Sequence, residues 1–187
     1  MKSIISFSIM LFFSYSYAYA QEEEKYQFGI KAGVNYATLF GKDAFPESDR
    51  KVGYSFGVYT NYKLSHNFKI QPEIIWSLQG EETENKTRYN ISYINIPIML
   101  KWLKDRYYFE LGPQLGVLTI HSNSSVPHDI RLDNFDTFDL LINVGLGYEV
   151  AEDWNIGIRY SHGLTNLVNG LDLKNSVFYI GFSYRIH

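Results

Sequence analysis

The chain has 187 residues, no cysteine and a formal net charge of −3. That length suits one domain, and the lack of cysteine excludes disulfides, thiolate metal sites, cysteine nucleophiles and a lipid anchor on cysteine. Both signs of charge are spread along the chain, so no basic patch points to nucleic acid.

Residues 1–20 read as a cleaved signal peptide. Lys2 gives the positive start, Ile4 to Phe13 the short apolar core, and Ala18-Tyr19-Ala20 a small-x-small cleavage site before Gln21. The apolar run is shorter than the roughly 20 residues of a membrane helix. Cleavage would remove Lys2 and lower the net charge by one unit. An acidic N-terminal segment, residues 21–25, would then precede a folded domain at 26–187.

From Tyr26 onward the apolar residues alternate with polar ones, a period of two that marks strands rather than helices. Tyr26, Phe28, Ile30, Ala32, Val34 and Tyr36 share one face, and Gln27, Gly29, Lys31, Gly33 and Asn35 the other. The same pattern recurs from Tyr54 to Tyr62, Phe68 to Leu78 (with Ile75 an exception), and Tyr93 to Trp102. It returns from Tyr107 to Val117, Phe138 to Val150, Trp154 to Ser161, and Phe178 to Ile186. Eight strands result. Three connections are short: Leu64-Ser65-His66-Asn67, Leu103-Lys104-Asp105-Arg106 and Ala151-Glu152-Asp153. The other four, 39–52, 80–88, 121–135 and 165–174, are longer and polar.

Short turns at one end and long loops at the other predict an all-β fold, a closed eight-stranded antiparallel up-and-down transmembrane β-barrel with periplasmic turns and termini and four extracellular loops. A soluble binding barrel could share the strand count. Side-chain size separates the two. The polar face is also the small one, rich in Gly, Ser and Asn, and an eight-stranded interior is only just wide enough to be filled by side chains. The face bearing Trp, Phe, Leu and Ile therefore points to lipid, and a bilayer demands a closed sheet. The aromatic content of 17% then has a use, in two interfacial girdles. Tyr62, Phe68, Trp102, Tyr107, Tyr148 and Trp154 flank the short turns, while Tyr36, Tyr54, Trp76 and Tyr160 approach the long loops.

The chain also resembles the porin-like outer-membrane β-barrel domain family of Gram-negative bacteria. The resemblance rests on Gly29-Ile30-Lys31-Ala32-Gly33-Val34-Asn35, on Tyr93-Ile94-Asn95-Ile96-Pro97-Ile98-Met99-Leu100-Lys101, on Leu111-Gly112-Pro113, and on Arg159-Tyr160 with Gly163-Leu164-Thr165-Asn166. The resemblance implies a place in the cell outer membrane, among outer-membrane lipids. The last strand resembles the signal read by the outer-membrane assembly machinery, with Tyr179, Gly181, Tyr184 and Ile186 in the expected places and His187 added after them. "Porin" is not implied as a mechanism, because aqueous channels take about 16–18 strands.

The inward face carries Lys31, Lys69, Glu73, Lys101, Glu110, Asp139, Glu149, Arg159 and Arg185. A narrow interior requires such charges to pair, which gives a structural network or a switchable gate for small ions. The string from Arg159 to Asn166 is similar to the catalytic stretch of outer-membrane lipid A deacylases around His162. The nucleophile position is displaced by one residue to Thr165, which puts it on the opposite face of a strand. His121 and His128, with Asp129 and Asp133, match no metal-site spacing. No catalytic residue, metal or cofactor is expected. The predicted function is a structural, adhesive or envelope-interaction barrel with a plugged lumen, open to an envelope protein partner of unknown identity. The alternatives are a narrow channel for small solutes or ions and, less favoured, a lipid-modifying enzyme.

Overall fold

The computed structural model describes residues 25–43, 51–82, 88–123, 136–168 and 170–187. The signal peptide, most of the acidic segment, and His128, Asp129 and Asp133 lie outside the described residues.

Eight strands follow in chain order: β1 (Tyr26–Phe40), β2 (Lys51–Lys63), β3 (Phe68–Glu82), β4 (Arg88–Lys104), β5 (Tyr107–Asn123), β6 (Phe138–Glu149), β7 (Trp154–Gly163) and β8 (Lys174–Ile186). Each pairs antiparallel with its neighbours, and the sheet closes into a barrel. Closure is made by β1 and β8, in register from Phe28↔Ile186 to Phe40↔Lys174. No sheet edge is left to water or lipid.

Several strands run past the end of their apolar alternation. β3 continues to Glu82 and β4 starts at Arg88, so their connection shrinks to residues 83–87, well inside the expected 80–88. β5 likewise reaches Asn123. Backbone pairing continues where the chain has left the apolar zone, because ladder hydrogen bonds do not need an apolar face. At the other end, β4 and β5 are joined by Asp105-Arg106 alone, where a four-residue turn was expected. Asp105 sits at φ 55°, a conformation Asp tolerates better than bulkier residues. The three short turns and both strand termini, Tyr26 and Ile186, lie at one end (the turn end); the longer connections lie at the other (the loop end).

The alternation sorts as the side-chain sizes require. Phe28, Phe56, Ile74, Ile98, Leu146, Ile156 and Ile180 are exposed on the outer wall, while Gln71, Glu73, Asn143, Asp139 and Arg159 are buried in the lumen. Ile75 is the inward apolar residue of β3, as its parity demands. One bulge, at Ser92/Tyr93 of β4, breaks the register with β5.

The interior admits larger rings than its small-residue pattern suggests. Tyr59, Tyr93, Tyr108 and Tyr179 are all buried. Three of them fit because glycines face them. A Cβ at Gly29 would overlap the Tyr59 ring, one at Gly147 the Tyr108 ring, and one at Gly181 the Tyr179 ring. The missing side chains are the space in which the rings lie.

Candidate functional site

The middle of the lumen holds a layer of charge built from five strands. Arg159 projects inward from β7 between Ile158 and Tyr160, which face outward. Its guanidinium donates to Glu73 of β3 twice, Nη1 to Oε2 at 2.8 Å and Nη2 to Oε1 at 2.7 Å. Its Nε donates to Oε1 of Glu110 on β5 at 2.6 Å. Lys31 of β1 lies 3.4 Å from Glu73 Oε1, and Lys101 of β4 lies 3.6 Å from Glu110 Oε2. Gln71 Nε2 also donates to Glu73 Oε1, at 2.5 Å. Arg159 is 4% exposed, Glu73 2% and Glu110 3%. The bidentate fork suits guanidinium better than an ammonium, and water is excluded from it.

The tyrosines complete this layer. Lys101 Nζ is 4.0 Å from the centre of the Tyr108 ring, and Lys31 Nζ 5.2 Å from that of Tyr179. These rings offer cations a favourable face while filling the barrel. Tyr179 in turn donates from its hydroxyl to the Ala32 carbonyl at 3.0 Å. Sequence reasoning missed this contribution of the inward tyrosines. Strand register sets Gly29 against Tyr59 and Gly147 against Tyr108, a pairing that alternation along one strand does not reveal.

The nine expected lumen charges do not form one network. Lys31, Glu73, Lys101, Glu110 and Arg159 converge. Lys69, Glu149 and Arg185 sit at the turn end, where Lys69 donates to Gln27 Oε1 at 3.4 Å. Arg185 donates to Asp153 Oδ1 at 3.0 Å and to the Glu152 carbonyl at 2.8 Å. Asp139, near the loop end, meets no cation among the described residues. It accepts from the Thr165 hydroxyl at 3.1 Å and from Asn175 Nδ2 at 3.4 Å. Between these layers Asn35 donates to Ser77 Oγ at 2.7 Å, and Asn143 donates to Gln114 Oε1 at 3.1 Å. Met99, Leu141, Leu167 and Leu173 add buried apolar bulk at and above the charge layer.

The candidate assembly residues divide between the faces. Tyr179 is buried inside beside Gly181, while Ile186 is exposed outside and the Tyr184 ring is tilted against Trp154 with centres 4.8 Å apart. The aromatic positions assigned to girdles all face outward. At the turn end Tyr62 meets Tyr26 at 5.2 Å and Tyr107 meets Tyr148 at 4.9 Å, and Phe68 pairs with Trp102 across the ladder. Toward the loop end Trp76 meets Phe56 at 5.0 Å, and Tyr36, Tyr54 and Tyr160 are exposed.

His162 faces the outer wall, stacked on Phe40 at 4.6 Å, with Nδ1 3.3 Å from the Tyr160 hydroxyl. Thr165 turns the other way, accepting from the Leu140 amide at 2.9 Å and donating to Asp139. The hydroxyl and the imidazole therefore bond to separate partners and make no dyad. Among the described residues no cluster of three or more His, Asp or Glu could hold a metal.

Solved structures share this architecture. Neisserial surface protein A is 12% identical, with 85% of this chain and 97% of that chain covered and a TM-score of 0.58. Ail, the attachment invasion locus protein of Yersinia pestis, solved with the heparin analogue sucrose octasulfate, is 14% identical, with 87% and 99% covered and a TM-score of 0.56. At such identities the likeness is one of fold. No curated protein matches the chain. The sequence profile of the outer membrane protein beta-barrel domain matches residues 6–169, which takes in β1 to β7, and β8 closes the same sheet. The chain thus belongs to the outer membrane protein beta-barrel domain family and is an outer-membrane β-barrel of the Gram-negative type.

Proposed function

We propose that this barrel is a non-conducting, non-catalytic scaffold that serves the outer membrane by holding its loops toward an envelope or external partner. The observation that carries the reading is the Arg159 fork, which ties β7 to β3 and β5 through the centre of the lumen. A crossbar of buried, hydrogen-bonded charge stiffens the wall and leaves no open path at that level. Rigid walls are what loop-borne recognition needs.

The turn end, with the termini, faces the periplasm in this reading, since short turns lie there in outer-membrane barrels. The connections at the opposite end, residues 41–50, 83–87, 124–137 and 164–173, carry four basic and eight acidic side chains. That balance favours a basic or neutral partner over a polyanion of the kind bound to Ail in its crystal. The separation of His162 from Thr165 supports the absence of a hydrolase.

Planar-bilayer recording of the purified barrel tests the scaffold directly. No conductance steps are expected at any applied voltage; regular steps would replace this reading with that of a narrow conduit. Mild crosslinking in whole cells should then capture one stoichiometric envelope partner through the loop end, and a C-terminal epitope should stay hidden from antibody on intact cells.

A further inference from the structure

Below the central charge layer, toward the turn end, lies a cavity of about 30 Å³. That is room for one monatomic ion or about two waters. The charged side chains around it are Lys69, Lys101, Arg185, Glu149 and Glu152. Arg185 is bound by Asp153 and the Glu152 carbonyl, and Lys69 donates to Gln27 Oε1 at 3.4 Å. Lys101 lies over the Tyr108 ring and shares its one carboxylate with Arg159. That carboxylate, Glu110, accepts from Arg159 Nε at 2.6 Å through one oxygen and stands 3.6 Å from Lys101 through the other. That second oxygen is buried and makes no hydrogen bond among the described residues.

The charge count is uneven. Lys31, Lys101 and Arg159 share only Glu73 and Glu110. One positive charge is therefore in excess within that layer, where unbalanced buried charge is costly. The longest ion pair of the layer belongs to Lys101, and Lys101 is the charged member of the layer that borders the cavity. Polar groups complete the wall. Tyr59, Asn61 and Asn155 border it, and Asn61 Oδ1 is buried without a hydrogen bond among the described residues.

We propose that this cavity is an anion seat, which takes one small monovalent inorganic anion such as chloride beside Lys101, entering from the turn end. The anion balances the excess charge of the central layer, and the packed layer above stops it from going further. The inference is independent of what the loops bind.

Bromide is the probe. Crystals of the full barrel grown or soaked in sodium bromide should give one anomalous peak in the cavity, within about 3.5 Å of Lys101 Nζ. The peak should persist in Lys101→Arg and vanish in Lys101→Met. No peak in the wild type would overturn the proposal. An unchanged peak in Lys101→Met would overturn it equally. Should Lys101→Met fail to fold, chloride NMR line widths on the wild-type barrel decide: saturable broadening displaced by bromide is expected, and purely linear broadening would refute the seat.

Discussion

Arg159 reaches from β7 to Glu73 on β3, the strand four places away around the closed sheet, and holds both carboxylate oxygens at 2.7 and 2.8 Å. This is a tie across the barrel rather than along its wall. Ladder hydrogen bonds already fix each strand to its neighbours, so the fork adds resistance to flattening, which neighbour pairing does not supply.

Glu73→Gln is expected to cost about 3–5 kcal/mol, the range for breaking a buried pair and leaving charge uncompensated. Lys31 would lose its carboxylate, and Arg159 one of its two. Urea unfolding in lipid vesicles, followed by tryptophan fluorescence, measures the change. The double variant Glu73→Gln with Arg159→Gln should lose less than the sum of the single variants, because the two residues share one interaction. Simple additivity would mean the fork is not a mutual tie.

Gly147→Val should destabilise the barrel by about 1–3 kcal/mol through overpacking. Its new side chain would enter the space of the Tyr108 ring. Trimming that ring with Tyr108→Leu in the same chain should recover part of the loss. Equal losses with and without the ring would show that the glycine serves something other than the tyrosine.

Ile158→Arg should cost about 2–4 kcal/mol in a bilayer, the depth-dependent penalty for a cation on the lipid face near the midplane. Ile158 is exposed on the outer wall and pairs with Leu146 and Ile180 at mid-strand. Unfolding free energies in vesicles provide the comparison. A cost near zero would mean that this wall does not meet hydrocarbon.

At the turn end, the hydrogen bond from His187 holds the Asp153 carboxyl below its usual range, and Arg185 adds to the effect. His187 Nε2 and Asp153 Oδ1 lie 2.6 Å apart. A depressed carboxylate contributes stability above its unfolded pKa, near 3.9, and loses it as pH falls through the lower folded value. The wild type should therefore lose more stability than Asp153→Asn between about pH 4 and pH 2. Parallel acid titrations of the two proteins would test this; superimposable curves would contradict it.

The strand count, the closed all-β class and the outward face could be read from residues alone. A period of two is a local property: once Phe28, Ile30 and Val34 share a face, the pleat sends Lys31 and Asn35 to the other. The narrowness of an eight-stranded interior then decides which face is inside. Strand ends beyond the apolar zone were less legible, because ladder pairing at Glu82 and Arg88 leaves no mark in hydrophobicity. The meeting of charges could not be read at all. Arg159 and Glu73 are 86 residues apart, and Asp139 is as inward and as acidic as Glu73 yet meets a hydroxyl and an amide. Parity tells which side chains enter the lumen. Their level along the axis depends on the register of each strand pair around the closed sheet, a tertiary quantity, and that level decides which cation reaches which carboxylate.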